Sequence, residues 1–326
     1  MSSQKSLWKF GGLSWLDLGK RVYTEIIDDD VFGSAAQLAY YFLFALFPAL
    51  IVLTSVFGFL VGADTKLRDS LFLYFGTVLP SSAAELVRTV VTDVSEASSG
   101  GKITLGLLLA LWAASGGFDA LMQNINKAYN VKETRPFWKR RLMALGLTTV
   151  LAILILSALI VVLFGGQIVD WVAASYGFGD FFRTGWKIGQ WIIVLSFVLL
   201  AFALIYYWSP DVKDQKWFFI TPGSIIAVAL WLLVSFGFRA YLQYFDTYSK
   251  TYGSLGAVIV LMLWLYITSV AILVGGNINS EIESAAAEQG DEDAKPKGEK
   301  VSNKELEKDN QNSDGNTSKK SFSQSS

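Results

Sequence analysis

Histidine and cysteine are both missing from this chain of 326 residues, and only 17% of its positions are charged. Without cysteine there are no disulfides, thiolate metal sites or cysteine nucleophiles, and the redox state of the compartment leaves no mark. Without histidine, zinc hydrolases, histidine-based triads and most transition-metal centres are excluded, because each depends on imidazole. No cofactor and no metal site is expected. A formal net charge of -1 offers no strong field for nucleic acid, so no nucleic-acid partner is expected either.

Apolar residues are what the chain has in excess: 52% of positions are hydrophobic and the mean hydropathy is +0.41, outside the range of soluble domains. No charge occurs between Val31 and Ala63, and comparable runs follow Arg141, Lys187, Lys216 and Lys250. Each exceeds the roughly 20 residues needed to cross hydrocarbon. The expected fold is an all-α integral membrane protein, a bundle of six transmembrane helices with amphipathic interfacial helices and a disordered C-terminal tail. Hydropathy and flanking charge place the spans at 35–60, 104–122, 142–164, 188–208, 218–238 and 255–276. The second is the weakest, short before Asp119 and carrying Ser115, Gly116 and Gly117, so it reads as tilted, broken or packed in protein.

Residues 1–34 do not resemble a cleaved signal, because the stretch from Ser14 to Asp30 is amphipathic and no small-residue cleavage site follows. Trp15, Leu16, Leu18, Val22, Tyr23, Ile26 and Ile27 recur at helical spacing opposite Lys20, Arg21 and Glu25, which suits a helix lying among headgroups; a helix packed on the bundle is the alternative. Between spans one and two, 64–102 reads as two short membrane-hugging helices broken at Pro80. Lys127, Lys132, Arg135, Lys139, Arg140 and Arg141 crowd the loop between spans two and three, which places that loop and both termini in the cytoplasm. Residues 284–326 are polar, charged and too poor in large apolar residues to fold. The Asn316-Thr317-Ser318 sequon is then on the wrong side for glycosylation. Trp186, Trp191, Tyr206, Tyr207, Trp208 and Trp217 sit at span ends as an interfacial belt.

Several stretches carry a resemblance. Ala35-Ala36-Gln37-Leu38-Ala39-Tyr40-Tyr41, Leu46-Phe47-Pro48, Leu111-Trp112-Ala113-Ala114-Ser115-Gly116-Gly117, Asn126-Lys127-Ala128-Tyr129 and Glu133-Thr134-Arg135-Pro136-Phe137-Trp138 are followed by Thr251-Tyr252-Gly253-Ser254-Leu255-Gly256-Ala257-Val258-Ile259, Leu263-Trp264-Leu265-Tyr266 and Gly275-Gly276-Asn277-Ile278-Asn279-Ser280-Glu281. Over about residues 13–283 the chain resembles the YihY/BrkB family of bacterial inner-membrane proteins, once misnamed as ribonuclease BN. The resemblance implies a six-helix bundle in the bacterial inner membrane without a settled biochemical activity. Where family members usually show Gly-Ala-Glu, this chain has Gly275-Gly276-Asn277. The true ribonuclease of that name resembles a zinc enzyme built on clustered histidines, which this chain lacks.

Candidate site residues are the polar or helix-interrupting ones inside apolar spans: Gln37, Tyr40, Pro48, Asp119, Asn124, Arg239, Asn277 and Glu281. Pro48, Ser115-Gly116-Gly117, Pro222-Gly223 and Gly275-Gly276 mark either unwound backbone along a transport path or close helix packing. Asp119 and Arg239 lie near span ends, where a functional and an interfacial role compete. Asn277 and Glu281, four apart, share a helix face that can meet Gln123 or Asn124. The expected function is a transporter or a lipid- or amphiphile-handling protein of the envelope, with membrane lipids and envelope proteins as the candidate partners. The alternative is a non-transporting scaffold; an enzyme is the weakest reading, since no nucleophile and base pair stands out.

Overall fold

The computed structural model describes residues 8–61, 100–176, 180–212, 217–244, 247–290 and 294. The expected helices at 64–102 fall almost wholly outside the described residues, as does most of the tail. Among the described residues a 3-10 turn, Phe10–Gly12, leads into seven helices. These are α1 (Trp15–Asp28), α2 (Val31–Val61), α3 (Gly100–Ala128), α4 (Phe137–Tyr176), α5 (Asp180–Trp208), α6 (Pro222–Tyr244) and α7 (Thr247–Glu288). Among the described residues there is no strand.

Four hydroxyl side chains inside the apolar stretches satisfy themselves locally, whereas the Thr268 hydroxyl is buried without a partner among the described residues. Thr148, Thr149, Ser196 and Ser269 each donate to the carbonyl four residues earlier, at 2.7 to 2.8 Å, so none asks the hydrocarbon for a partner. Helix ends are capped by sequence. Ser14 accepts from the Asp17 amide to start α1. Thr221 and Ser224 cap each other reciprocally around Pro222 and Gly223 at the start of α6. α3 closes in a Schellman motif, with the Val131 amide on the Asn126 carbonyl, the Asn130 amide on that of Lys127, and Asn130 at φ 50°.

α2, α4, α5, α6 and α7 are long and apolar enough to cross a membrane. α3 is the sixth long helix. It packs chiefly on α2 and then on α4, burying Ala114, Leu121, Met122 and Ile125. Neither break nor unwinding occurs in it: Ser115, Gly116 and Gly117 lie within one continuous helix. Pro48 likewise sits inside continuous α2, and Gly275-Gly276 inside continuous α7. Of the two readings open at these positions, unwound backbone is not found, and Pro222 is the first residue of α6. Several helices overrun the expected spans. α4 and α7, with 40 and 42 residues, are each about 60 Å long, twice the hydrocarbon thickness. α6 starts at Pro222 rather than at 218.

Consecutive helices from α2 to α7 pack side by side, and α7 closes back on α2. The shared core is formed by Ala35 and Leu38 of α2, Leu121 and Ile125 of α3, Leu147 and Leu151 of α4, Phe202 and Tyr206 of α5, Ala227 and Val228 of α6, and Ile272 and Leu273 of α7. Hydrogen bonds between Lys127 and Ser34, between Asn126 and Asp211, and between Asn279 and Gly223 gather one set of ends. That end holds α1, the start of α2, the end of α3, the 129–136 loop, the end of α5, the start of α6 and the end of α7.

Candidate functional site at the basic end of the bundle

Arg135 organises this end. Its side chain is only 6% exposed, and its Nε and Nη2 donate to the two oxygens of Glu133, each at 2.7 Å. Nη2 also reaches the Ser209 carbonyl at 2.9 Å and Nη1 that of Trp208 at 3.4 Å. Asp211 lies 3.6 Å from Nε and accepts from both the amide and the hydroxyl of Thr134. Asn126 ties the group to α3, donating to Glu133 at 2.8 Å and accepting the Asp211 amide at 2.7 Å. The Arg135 guanidinium joins the 129–136 loop to the end of α5, and Asn126 extends the network to the end of α3. Buried charges persist only when paired and hydrogen-bonded in this way.

A second junction lies between α6 and α7. The Gly223 amide, orphaned at the helix start, donates to Asn279 at 3.0 Å. Backbones approach closely here: a Cβ on Gly223 would lie 2.2 Å from the Gly275 carbonyl, and one on Gly275 would lie 2.3 Å from the Tyr206 hydroxyl. Tyr206 is not part of an interfacial belt. It is 3% exposed and donates to the Ile272 carbonyl at 2.8 Å. Trp191, by contrast, is 59% exposed.

The candidate residues scatter over this framework. Gln37 and Tyr40 lie on the exposed side of α2, where Tyr40 packs on Tyr41 and Phe44. Pro48 is half-buried, and Arg239 is exposed near the far end of α6. Asp119 is paired with Arg140, Nε to Oδ1 at 2.6 Å, and accepts from Gln123 at 3.2 Å. Asn124, Asn277 and Glu281 are buried, but the amides of the two asparagines do not meet. Asn124 donates to the Ala120 carbonyl and Asn277 to that of Leu273, each on its own helix. Their Oδ1 atoms are buried without a hydrogen-bond partner. The expected Asn277–Asn124 contact is therefore replaced by two separate orphan acceptors, because Ile125 and Ala128, not Asn124, approach Gly276. Among the described residues no three carboxylates converge to hold a metal.

Sequence reasoning passed over Asn126, Glu133, Arg135, Asp211 and Asn279. The signal was present in Glu133-Thr134-Arg135-Pro136, a charged pair two residues apart before a helix start, but pairing with Asp211 needed the fold.

α1 lies at the same end. Leu18 and Val22 pack on Ile278 and Ile282 of α7, while Trp15, Leu16, Tyr23 and Ile27 are each more than half exposed. Gly11, at φ +59°, seats the preceding turn on α7, where a Cβ would lie 2.5 Å from the Ile282 carbonyl. Arg21 grips Glu288 with two hydrogen bonds of 2.9 and 3.0 Å. Those bonds hold the Glu288 carboxyl below its ordinary range.

The profile of a family described as Virulence factor BrkB matches residues 22–299. The chain is 34% identical over 248 residues to "Putative ribonuclease-like protein YfkH" of Bacillus subtilis, covering 76% of this chain and 88% of that protein. It is 28% identical over 279 residues to "UPF0761 membrane protein Smlt0865" of Stenotrophomonas maltophilia, covering 82% of this chain. A "UPF0761 membrane protein" of Xanthomonas oryzae is 30% identical over 278 residues. The chain spans 61% of the length of each of the last two. No solved structure matches.

Proposed function

We propose that this chain, which belongs to the BrkB family of membrane proteins, works in the bacterial inner membrane as a transporter or handler of lipids or similar amphiphiles, without catalytic chemistry of its own. The observation that carries this reading is the pair of apolar faces on α1. One apolar face is docked on the last transmembrane helix, and a second presents Trp15, Leu16, Tyr23 and Ile27 outward beside exposed Lys20. A helix so built lies among headgroups while attached to α7. Asp119, the carboxylate expected within a span, is neutralised by Arg140, which argues against an ion-coupled carrier. The end that holds α1 and the end of α7 also holds Lys127, Lys132, Arg135, Lys139, Arg140 and Arg141, in keeping with a cytoplasmic placement of both.

The close backbone approach of Gly223 to Gly275 favours a second reading, a static scaffold that anchors envelope partners. Purified protein in liposomes carrying a leaflet-labelled fluorescent phospholipid separates the two. Lipid handling requires faster equilibration of label than in empty vesicles, slowed by Val22→Asp, which undocks α1. No acceleration by the wild type rejects lipid handling and leaves the scaffold.

A further inference from the structure

Arg141 is the last charge before an uncharged run from Leu142 to Val169, so its guanidinium stands where headgroups give way to hydrocarbon. Unlike Arg135 and Arg140, it makes no salt bridge among the described residues; Asp119 is held by Arg140 and attracts Arg141 only through space. It is instead held against α3. Its Cζ lies 4.5 Å from the centroid of the Trp112 ring, and its Nη2 donates to the Trp112 carbonyl. Nε is left buried and without a hydrogen-bond partner. Gly116 contributes no side chain beside Nη1. Trp138, 67% exposed, packs on Trp112 with centroids 6.1 Å apart. Leu108 and Leu105, one and two turns from Trp112 on the same face of α3, are 59% and 61% exposed.

We propose that Arg141, Trp112 and Trp138 form a binding site for the phosphate headgroup of an anionic phospholipid, with an acyl chain lying along Leu108 and Leu105. A cation without a salt bridge carries the charge complement to the phosphate, and a guanidinium suits its oxygens better than an ammonium does. The two indoles mark the glycerol level, where amphipathic rings settle. The leucines continue the groove away from the basic end, as a lipid tail requires. The order of chemistries along α3 and α4 therefore matches the order of parts in a phospholipid. The site lies on the outer surface of the bundle and does not depend on the function proposed above, since a scaffold can carry it equally.

Native mass spectrometry of the full chain in mild detergent tests it, with phosphatidylglycerol, phosphatidylcholine and water-soluble glycerol phosphate as probes. The wild type is expected to bind the first phosphatidylglycerol about tenfold more tightly than phosphatidylcholine, and Arg141→Gln to bring the two within about twofold. Trp138→Ala, at an exposed position, is expected to weaken the preference about threefold and decides the matter if Arg141→Gln does not fold. Equal binding of the two lipids by the wild type, or a preference that survives the substitutions, overturns the proposal. So does displacement of the lipid by equimolar glycerol phosphate, which would mark a site for free phosphate.

Discussion

Arg135→Met removes the guanidinium at the centre of the network at the basic end while keeping most of the side-chain volume. The loss comprises two charged hydrogen bonds of 2.7 Å to Glu133, two contacts to the Trp208 and Ser209 carbonyls, and the 3.6 Å attraction to Asp211. Glu133 and Asp211, 14% and 17% exposed, are left as two neighbouring carboxylates without their cation. Breaking a buried pair from one side costs about 3–5 kcal/mol. Asn126 still donates to Glu133 and Thr134 still donates to Asp211, so the lower end of that range, about 3 kcal/mol, is expected. Glu133→Met should cost less, about 2 kcal/mol, because Arg135 retains Asp211 and both carbonyls. The double variant should cost clearly less than the sum, giving a coupling of about 2 kcal/mol. Denaturant unfolding in detergent, followed by tryptophan fluorescence, measures all three. A cost below about 0.5 kcal/mol for Arg135→Met, or additive single effects, would refute the claim that this network holds the ends of α3 and α5 together.

Gly275→Ala should destabilise by about 1–3 kcal/mol by forcing α7 from Tyr206 and Ala227. Gly237→Ala, where a Cβ meets nothing within 4 Å, should be neutral or stabilising by up to about 1 kcal/mol, and the same melts compare them. Asn279→Ala strands the buried Gly223 amide and should cost about 1–2 kcal/mol in denaturant unfolding. Asn124→Leu and Asn277→Leu remove orphan acceptors, so stability should hold or rise; loss of lipid movement at unchanged stability would assign these oxygens to function. The Arg21–Glu288 clasp should loosen in acid. Glu288 lies twelve residues beyond the expected span end and titrates below its ordinary value when folded. Its contribution is therefore full above the ordinary carboxylate value and lost as pH falls through the depressed one. Spin-label distances between α1 and α7 should lengthen there, slightly and less in high salt, because both side chains are substantially exposed.

Long charge-free runs determined the membrane fold from the sequence alone, because only helices satisfy their backbone groups within hydrocarbon. The clustering of basic residues and the amphipathic pattern of α1 were equally legible, each being local along the chain. The glycines were ambiguous, since a small residue permits both an unwound path and a close crossing; Pro48 was ambiguous because a missing N–H can either break a helix or be tolerated within it. Only the neighbours of Gly223 and Gly275 decided for close crossing. Polar partners were similarly undetermined. Arg135 and Asp211 are 76 positions apart in the chain, and nothing in a hydropathy pattern brings them together. Asn124 and Asn277 are both buried but share no hydrogen bond, and a rotation of about 100° per residue places Ile125 and Ala128 toward Gly276. Periodicity specifies which face of a helix is buried; which residue it meets depends on the register and crossing of helices distant in sequence, and that was settled only by packing.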